Sequence, residues 1–172
     1  MLTKLTPACE CMPRIKKSIN GKDASQRGAF PYGTELEFTV ETPRALGASA
    51  VVLRIAEDGR EDVDMPLDFC STENGIDVYK KTVNTAQLCE GREDGLFYYE
   101  FLFLRGYETL FTDTYNNVDF ELSKSSAGKF RMLVHRADYK VPDWFGNNII
   151  YHIFAKMQIF QLVKNPKTVS TG

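Results

Sequence analysis

Alternating apolar and polar residues mark short β-strands in the middle of the chain. Residues 35–41 place Leu36, Phe38 and Val40 on one face and acidic residues or threonine on the other. A period of two with one apolar face is typical of a half-buried strand in an antiparallel sheet. No segment between these strands has a clear amphipathic helical period, so the pattern predicts a β-rich fold.

Two turn signals divide the strands that follow. Ala50–Ala56 is apolar enough for a more central strand, and the Asp-Gly turn at residues 58–59 leads to a short partner strand over residues 61–66. The Asn-Gly turn at residues 74–75 then introduces a strand over residues 76–83. The segment therefore predicts paired antiparallel strands.

Residues 96–105, with the sequence LFYYEFLFLR, form the most apolar strand. The core-facing side is Phe97, Tyr99, Phe101 and Phe103, and the other side is Tyr98, Glu100, Leu102 and Leu104. Further strands over residues 117–122 and 129–135 bring the set to about seven, with the spacing of an immunoglobulin-like domain. We therefore predict an all-β, immunoglobulin-like antiparallel β-sandwich, with a barrel of similar size as the alternative.

The composition of the chain limits the classes of partner that we expect it to bind. The 172 residues carry a net charge of −2, so we expect no nucleic-acid partner. The balance of hydrophobic and charged residues predicts a soluble domain, and the start of the sequence has no apolar stretch of the length that a signal peptide needs, so we expect a cytoplasmic location. No apolar run reaches the ~20 residues of a membrane-spanning helix, so we expect no membrane partner. The basic residues of segments 1–22 and 155–172 are interpreted as solvated ends.

Cysteine and histidine offer little material for catalysis. Cys9 and Cys11 form a Cys-x-Cys pair without further ligands at a workable spacing, while Cys70 and Cys89 stand singly. His135 has no carboxylate or cysteine partner in the pattern. We therefore predict free thiols, no metal, no cofactor and no catalytic residue.

The character of the chain changes after His135. Residues 138–148 are rich in Pro, Gly and Asn, and residues 149–154 are a β-branched and aromatic run typical of a strand in a buried sheet. The remaining 18 residues provide neither the crossover nor the partner that a parallel strand requires. This pattern predicts that the chain stops as a second domain begins.

Three segments resemble α-amylase-type enzymes of glycoside hydrolase family 13. VPDWFGNNIIYHIF at residues 141–154 resembles the linker and first strand of their catalytic barrel. RGAFPYGT at residues 27–34 and GLFYYEF at residues 95–101 are similar to the N-terminal β-sandwich of neopullulanase-like members. The resemblance covers roughly residues 20–154, and after Phe154 the expected Asp-Arg-Phe is replaced by Ala155-Lys156-Met157.

The resemblance implies a truncated member of that family. Residues 1–19 would be an N-terminal extension, which we expect to be disordered, and residues 20–135 the sandwich. Residues 136–154 would be the linker and first barrel strand, and residues 155–172 a tail. The family's catalytic carboxylates lie on later barrel strands, so we expect no catalysis by this chain. The expected function is an accessory domain that binds or positions starch, glycogen or maltodextrin. The alternative is a purely structural or dimerisation module without glucan affinity.

Aromatic residues provide the candidate sites. Residues 105–117, after the central strand, are interpreted as a loop with three aromatic residues among short polar ones. These three, Tyr107, Phe111 and Tyr115, are the candidate carbohydrate-binding residues, because pyranose rings pack on flat aromatic faces. Covering the open end of the sandwich is the alternative role. Trp144 and Phe145 are expected to anchor the sandwich to a barrel. Residues 149–154 would then be an exposed strand that favours a homodimer.

Overall fold

The computed structural model describes residues 12–26 and 28–140. Twelve strands in this part of the chain form one five-stranded and one seven-stranded sheet. Apolar side chains of both sheets meet in one core. The predicted all-β sandwich is therefore confirmed, and the alternative of a barrel is not.

The five-stranded sheet is antiparallel throughout. Its spatial order is β2, β1, β4, β8, β7. The strands are β1 (Arg14–Ile19), β2 (Lys22–Ala24), β4 (Glu35–Pro43), β7 (Asp68–Glu73) and β8 (Ile76–Asn84). In β4 the predicted face of Leu36, Phe38 and Val40 is fully buried. At the outer edge, β7 pairs only with β8, and its register shifts between Phe69 and Ser71, which leaves a bulge at Cys70.

The seven-stranded sheet is centred on one long strand. It contains β3 (Gly28–Pro31), β5 (Ala50–Ala56), β6 (Val63–Pro66), β9 (Gly95–Arg105), β10 (Glu108–Asp113), β11 (Glu121–Ser123) and β12 (Phe130–His135). One edge of β9 pairs with β5, which in turn pairs with β6. The other edge is shared, because β12 pairs with the first half of β9 and β10 with the second half. Beside them, β11 pairs with β10, and β3 runs parallel to β12.

The alternation predicted for β9 is confirmed. Phe97, Tyr99, Phe101 and Phe103 are buried in the core between the sheets. On the outer face, Glu100 and Leu102 are also buried, whereas Leu96 is 44% exposed. The outer face of this sheet is therefore covered in its middle and open at one end.

The sandwich begins earlier than the sequence pattern indicated. Arg14–Ile19 falls within the segment predicted to be an extension, yet β1 pairs with both β2 and β4. Ile15 and Ile19 pack against the core, and Lys16 pairs with Glu41. The run of basic residues concealed this alternation, so the predicted domain boundary at residue 20 lies inside the sheet.

The strand predicted over residues 117–122 is shorter than expected. Only Glu121–Ser123 is a strand, and it pairs with the end of β10. The preceding residues turn instead, because the Asn116 side-chain oxygen accepts hydrogen bonds from the backbone amides of Val118 and Asp119, at 2.9 and 2.8 Å. Such local bonds compete with a strand ladder.

Both predicted turns are present. Asn74 and Gly75 have φ angles of 51° and 77°, the left-handed values that a two-residue hairpin between β7 and β8 requires. Gly59 also has a positive φ, of 78°, between β5 and β6. The Asn-Gly turn sets the register of the β7–β8 hairpin, in which Glu73 pairs with Ile76, whereas residues 57–62 form a longer connection between β5 and β6.

One charged side chain lies in the core. Lys17 on β1 is 1% exposed, and its Nζ donates hydrogen bonds to the Gln26 carbonyl at 2.6 Å and to the Tyr99 hydroxyl at 3.4 Å. The same nitrogen lies 4.5 Å from the centre of the Phe30 ring and 5.9 Å from that of Phe38. No carboxylate among the described residues pairs with it. Two oxygens and the ring faces therefore replace water around this amine.

A short helix, α1 (Thr85–Cys89), connects the two sheets. The Asn84 side chain caps it by accepting a hydrogen bond from the Ala86 amide at 2.8 Å. Thr85 is buried, and its hydroxyl donates to the Pro31 carbonyl at 3.0 Å and accepts from the Thr34 amide at 2.9 Å. No helix in the described part of the chain has the length and hydropathy to span a bilayer.

Candidate functional site

The three predicted carbohydrate-binding residues do not form one surface. Tyr107 is exposed at the turn between β9 and β10, and Phe111 is half-buried on the outer face of the seven-stranded sheet, opposite Leu102. Tyr115 is exposed two residues after β10 ends. The six residues of β10, about 20 Å of extended chain, separate Tyr107 from Tyr115. The segment around them was interpreted as a loop, whereas it is largely a strand.

Tyr115 lines a groove on the outer face of the seven-stranded sheet. We call it the outer-face groove, and its volume is about 420 Å³. Its lining consists of Ala56, Asp58, Tyr98, Thr114, Tyr115, Asn117, Ala127, Gly128, Lys129 and Arg131. Tyr98 therefore belongs to the candidate site, although sequence reasoning assigned it no function.

Strand register brings the floor of the groove together. Tyr98 on β9 lies between two direct neighbours, Arg131 on β12 and Ala56 on β5. Asp58 follows β5 by two residues and lies on the far side of Tyr98 from Arg131. An aromatic side chain is thus flanked by a cationic and an anionic one. The alternation of β9 places Tyr98 on the outer face and is the signal that could have identified it.

The wall that carries Tyr115 is held by hydrogen bonds to side chains. The Thr114 hydroxyl donates to the Asp119 carbonyl at 2.5 Å and accepts from the Asn117 amide at 3.1 Å. The Asn117 side-chain oxygen accepts from the Arg131 amide at 2.9 Å, which ties this turn to β12. Tyr115 is 83% exposed, and these hydrogen bonds hold the turn that carries it. Its ring is therefore accessible to a ligand in the groove.

Gly128 allows the two sides of this wall to approach each other. Its amide donates to Asp113 Oδ1 at 2.7 Å, and its carbonyl accepts from the Thr114 amide at 3.2 Å. A Cβ at this position would lie 2.0 Å from the Thr114 carbonyl oxygen. Only glycine fits this approach without movement of the backbone.

The buried carboxylate of Glu100 and the ammonium group of Lys129 stabilise one side of the groove. Glu100 is fully buried, and its Oε1 accepts a hydrogen bond from the Ser126 hydroxyl at 2.9 Å. Lys129 Nζ lies 3.5 Å from Glu100 Oε1 and 3.5 Å from Asp62 Oδ2. The positive charge of Lys129 is therefore already engaged by two carboxylates. Glu100 and Lys129 hold the segment after β11 against the sheet.

Two other charges in the groove are available to a ligand. In the described part of the chain, neither Arg131 nor Asp58 makes a side-chain hydrogen bond or an ion pair. A guanidinium only donates hydrogen bonds, and an ionised carboxylate only accepts them. Together with the tyrosine rings, they can recognise a molecule that has both hydroxyl groups and an apolar face.

No metal site accompanies the groove in the described residues. Residues 12–26 and 28–140 contain no group of three His, Cys, Asp or Glu side chains that could hold an ion. Cys70 is exposed and Cys89 buried, and both are free thiols. Burial raises the pKa of the Cys89 thiol, so this group is a poor nucleophile.

The second group of predicted site residues lies outside the described residues. This group consists of Trp144 and Phe145, the expected anchors, and residues 149–154, the expected dimer strand. Their proposed roles stay predictions.

The chain resembles several solved structures. No family model and no curated protein matches the chain. A solved cyclomaltodextrinase structure resembles 59% of this chain with a TM-score of 0.42 and 19% sequence identity. The matching region covers only 17% of the cyclomaltodextrinase chain.

Proposed function

We propose that this β-sandwich is a noncatalytic module that binds α-glucan chains in the outer-face groove. The observation that supports the proposal best is a groove lined by Tyr98 and the exposed Tyr115 together with Arg131 and Asp58. The choice of α-glucan follows from the sequence resemblance to the α-amylase family. The groove itself supports a neutral sugar more generally.

The chemistry of the groove matches that of a pyranose ring. Sugar C–H groups pack on the flat face of a tyrosine, while the hydroxyls of the same ring require donors and acceptors at its edge. Arg131 supplies donors and Asp58 supplies acceptors. One positive and one negative charge leave the free groups of the groove nearly balanced, which favours an uncharged ligand.

Affinity electrophoresis tests the proposal. The full chain is run in native gels with and without glycogen, beside a protein that does not bind glycogen. We expect retardation that free maltooligosaccharide reverses. Tyr115→Ala should weaken the apparent affinity by about 2- to 10-fold, because an aromatic stacking contact contributes about 0.5–1.5 kcal/mol. The melting temperature should not change, since the ring is exposed.

Tyr107→Ala is the matched control. This residue is also an exposed tyrosine, but it lies at the opposite end of β10 from the groove. We expect it to bind glycogen like the unmodified chain. Glucan affinity that depends on Tyr107 and not on Tyr115 would move the site to the turn between β9 and β10.

Association is the second candidate function, and one observation favours it. Leu96 and Leu133 are direct cross-strand neighbours on the outer face and are 44% and 45% exposed. A second copy could cover this pair without any glucan. Absence of retardation, together with a concentration-dependent dimer in sedimentation that Leu133→Lys abolishes, would support this structural role instead.

A further inference from the structure

A second concavity lies at one end of the sandwich, where the turn between β5 and β6 approaches α1. We call it the end pocket, and its volume is about 480 Å³. Small-molecule sites typically measure about 300–1,000 Å³. The end pocket is therefore large enough for a compact organic ligand.

The floor of the end pocket is apolar. Ile55 and Phe97 are buried members of the core, and Met65 and Leu88 are partly buried against it. Val63 is 48% exposed at the side of the pocket. Because β5, β6, β9 and α1 meet here, the pocket gives a ligand direct access to core side chains. An apolar group placed on this floor would lose contact with water.

The rim of the end pocket is acidic. Its charged lining residues are Glu57, Glu61, Asp62 and Glu90, against a single cation, Arg60. Arg60 pairs with both Glu57 and Glu90, so it links the turn after β5 to the end of α1. These ion pairs hold the two segments at the mouth of the pocket together.

The acids of the rim differ in whether they have a cationic partner. Arg92, which is not part of the lining, donates two hydrogen bonds to Glu57, at 2.6 and 2.7 Å. These bonds lower the pKa of Glu57, which is therefore ionised at neutral pH. Asp62 lies 3.5 Å from Lys129 Nζ and 4.0 Å from Arg54 Nε. In contrast, Glu61 has no ion-pair partner among the described residues, so its negative charge is the one available to a ligand.

We propose that the end pocket binds a small organic cation with an apolar body, of the alkylammonium or arylalkylammonium class. The body packs on Met65, Leu88 and Phe97, and the ammonium group lies beside Glu61 at the mouth. Charge complementarity selects this class over a neutral or anionic ligand of the same shape. The inference uses residues outside the outer-face groove apart from Ala56 and does not depend on glucan binding.

Three probes of matched shape test the proposal: 4-phenylbutylamine, 4-phenylbutanol and 4-phenylbutyrate. They are titrated into the full chain labelled at the methyl groups of Ile, Leu, Val and Met, and methyl NMR spectra are recorded. The amine should produce saturable shifts at Ile55, Val63, Met65 and Leu88. The alcohol should bind more weakly and the carboxylate most weakly. Leu110, which pairs with Phe103 in the other half of β9, should not shift.

Single substitutions distinguish the contribution of charge to ligand affinity from that of the pocket's shape. Glu61→Gln should reduce the affinity for the amine about two- to fivefold and leave that for the alcohol unchanged, because one exposed charge a few ångströms away contributes about 1 kcal/mol in water. Glu73→Gln, at an exposed carboxylate on β7, is the matched control and should change neither affinity. Leu88→Trp should fill the pocket and abolish binding of the amine and the alcohol.

Several results would overturn the proposal. These are equal binding of the amine and the carboxylate, the absence of saturable shifts at the four pocket methyls, or an unchanged amine affinity in Glu61→Gln. Should Leu88→Trp fail to fold, the comparison of Glu61→Gln with Glu73→Gln still decides the question.

Discussion

The surroundings of Lys17 strongly change the pKa of its side chain. Its amine lies among the Phe30, Phe38 and Tyr99 rings, with no carboxylate partner in the described residues. Burial lowers the pKa of Lys17 from 10.5 to about 7, because the loss of water disfavours the charged form. Burial also raises the pKa of Tyr99, so its hydroxyl stays protonated.

This burial predicts a pH-dependent stability. Between pH 7 and 10.5 the unfolded chain holds a proton on Lys17 that the folded chain has released, so the free energy of unfolding rises with pH over this window. Lys17→Met keeps the buried stem and removes the amine, and it should stabilise the domain by about 2–4 kcal/mol at pH 7. The gain should fall towards zero near pH 10.5.

Urea unfolding at pH 7, 8.5 and 10 measures this difference. Lys16→Met is the control, because Lys16 is the exposed neighbour on the same strand and pairs with Glu41. Its effect should be below 1 kcal/mol at every pH. A stability difference for Lys17→Met that stays constant from pH 7 to 10 would contradict the assigned pKa.

The sequence carries only part of this residue-scale picture. Ile15, Lys17 and Ile19 alternate like a strand, but the surrounding basic residues favoured a solvated extension. The environment of Lys17 is formed by β3, β4 and β9, which are distant in sequence. A contact set of this kind depends on the pairing of strands, and no local pattern contains it.

At the scale of elements, the junction between β10 and β12 determines the shape of the outer-face groove. Both strands pair with the same edge of β9, one after the other. Gly128 lies where the chain passes from β11 to β12 and meets Thr114. The groove therefore depends on a backbone contact as much as on its side chains.

Gly128→Ala tests this dependence. The added Cβ would lie 2.0 Å from the Thr114 carbonyl oxygen, so the backbone must move and the hydrogen bond between Thr114 and Gly128 is lost. We expect a loss of about 1–3 kcal/mol in unfolding free energy, the usual cost of a steric conflict in a packed region. Thermal unfolding followed by circular dichroism measures it.

Ala127→Ser is the adjacent control. Ala127 is exposed, and a hydroxyl there meets solvent. Its stability should stay within about 0.5 kcal/mol of the unmodified domain, as for most surface substitutions. A Gly128→Ala domain as stable as this control would show that the junction relaxes without cost.

The sequence pattern predicted the strands and turns better than it predicted the candidate binding site. Period-two alternation located β4 and β9, and the Asn-Gly turn at residues 74–75 located the hairpin of β7 and β8. The interpretation of residues 105–117 as a binding loop missed β10, because glycine, tyrosine and threonine at its start resemble a loop. Tyr115 was selected for its residue type, whereas its place in the same groove as Tyr98 depends on how β9, β10 and β12 share an edge.

For the whole molecule, the important feature is that β1 and β12, the first and last strands of the described residues, are both integral to the sheets. β1 occupies a position between β2 and β4, and β12 lies between β9 and β3. The Tyr32 amide also donates to the His135 carbonyl at 2.7 Å, which joins the start of the domain to its end. Loss of either end would therefore uncover core side chains.

Shortening the chain at two positions tests this arrangement. A chain that begins at Met12 keeps every described strand, and we expect it to unfold cooperatively with a melting temperature close to that of the full chain. A chain that begins at Asn20 lacks β1 and uncovers the core side of β4, including Phe38. We expect it to lose cooperative unfolding and to bind a hydrophobic dye. Cooperative unfolding of both chains would show that β1 is dispensable.

The bulge at Cys70 affects how copies of this domain behave when they are crowded together. β7 is an edge strand, and an unbroken edge can template a strand from another chain. The shift between Phe69 and Ser71 interrupts the regular spacing of hydrogen-bonding groups along that edge. This single extra residue therefore disfavours in-register addition of a strand from a neighbouring copy along this edge.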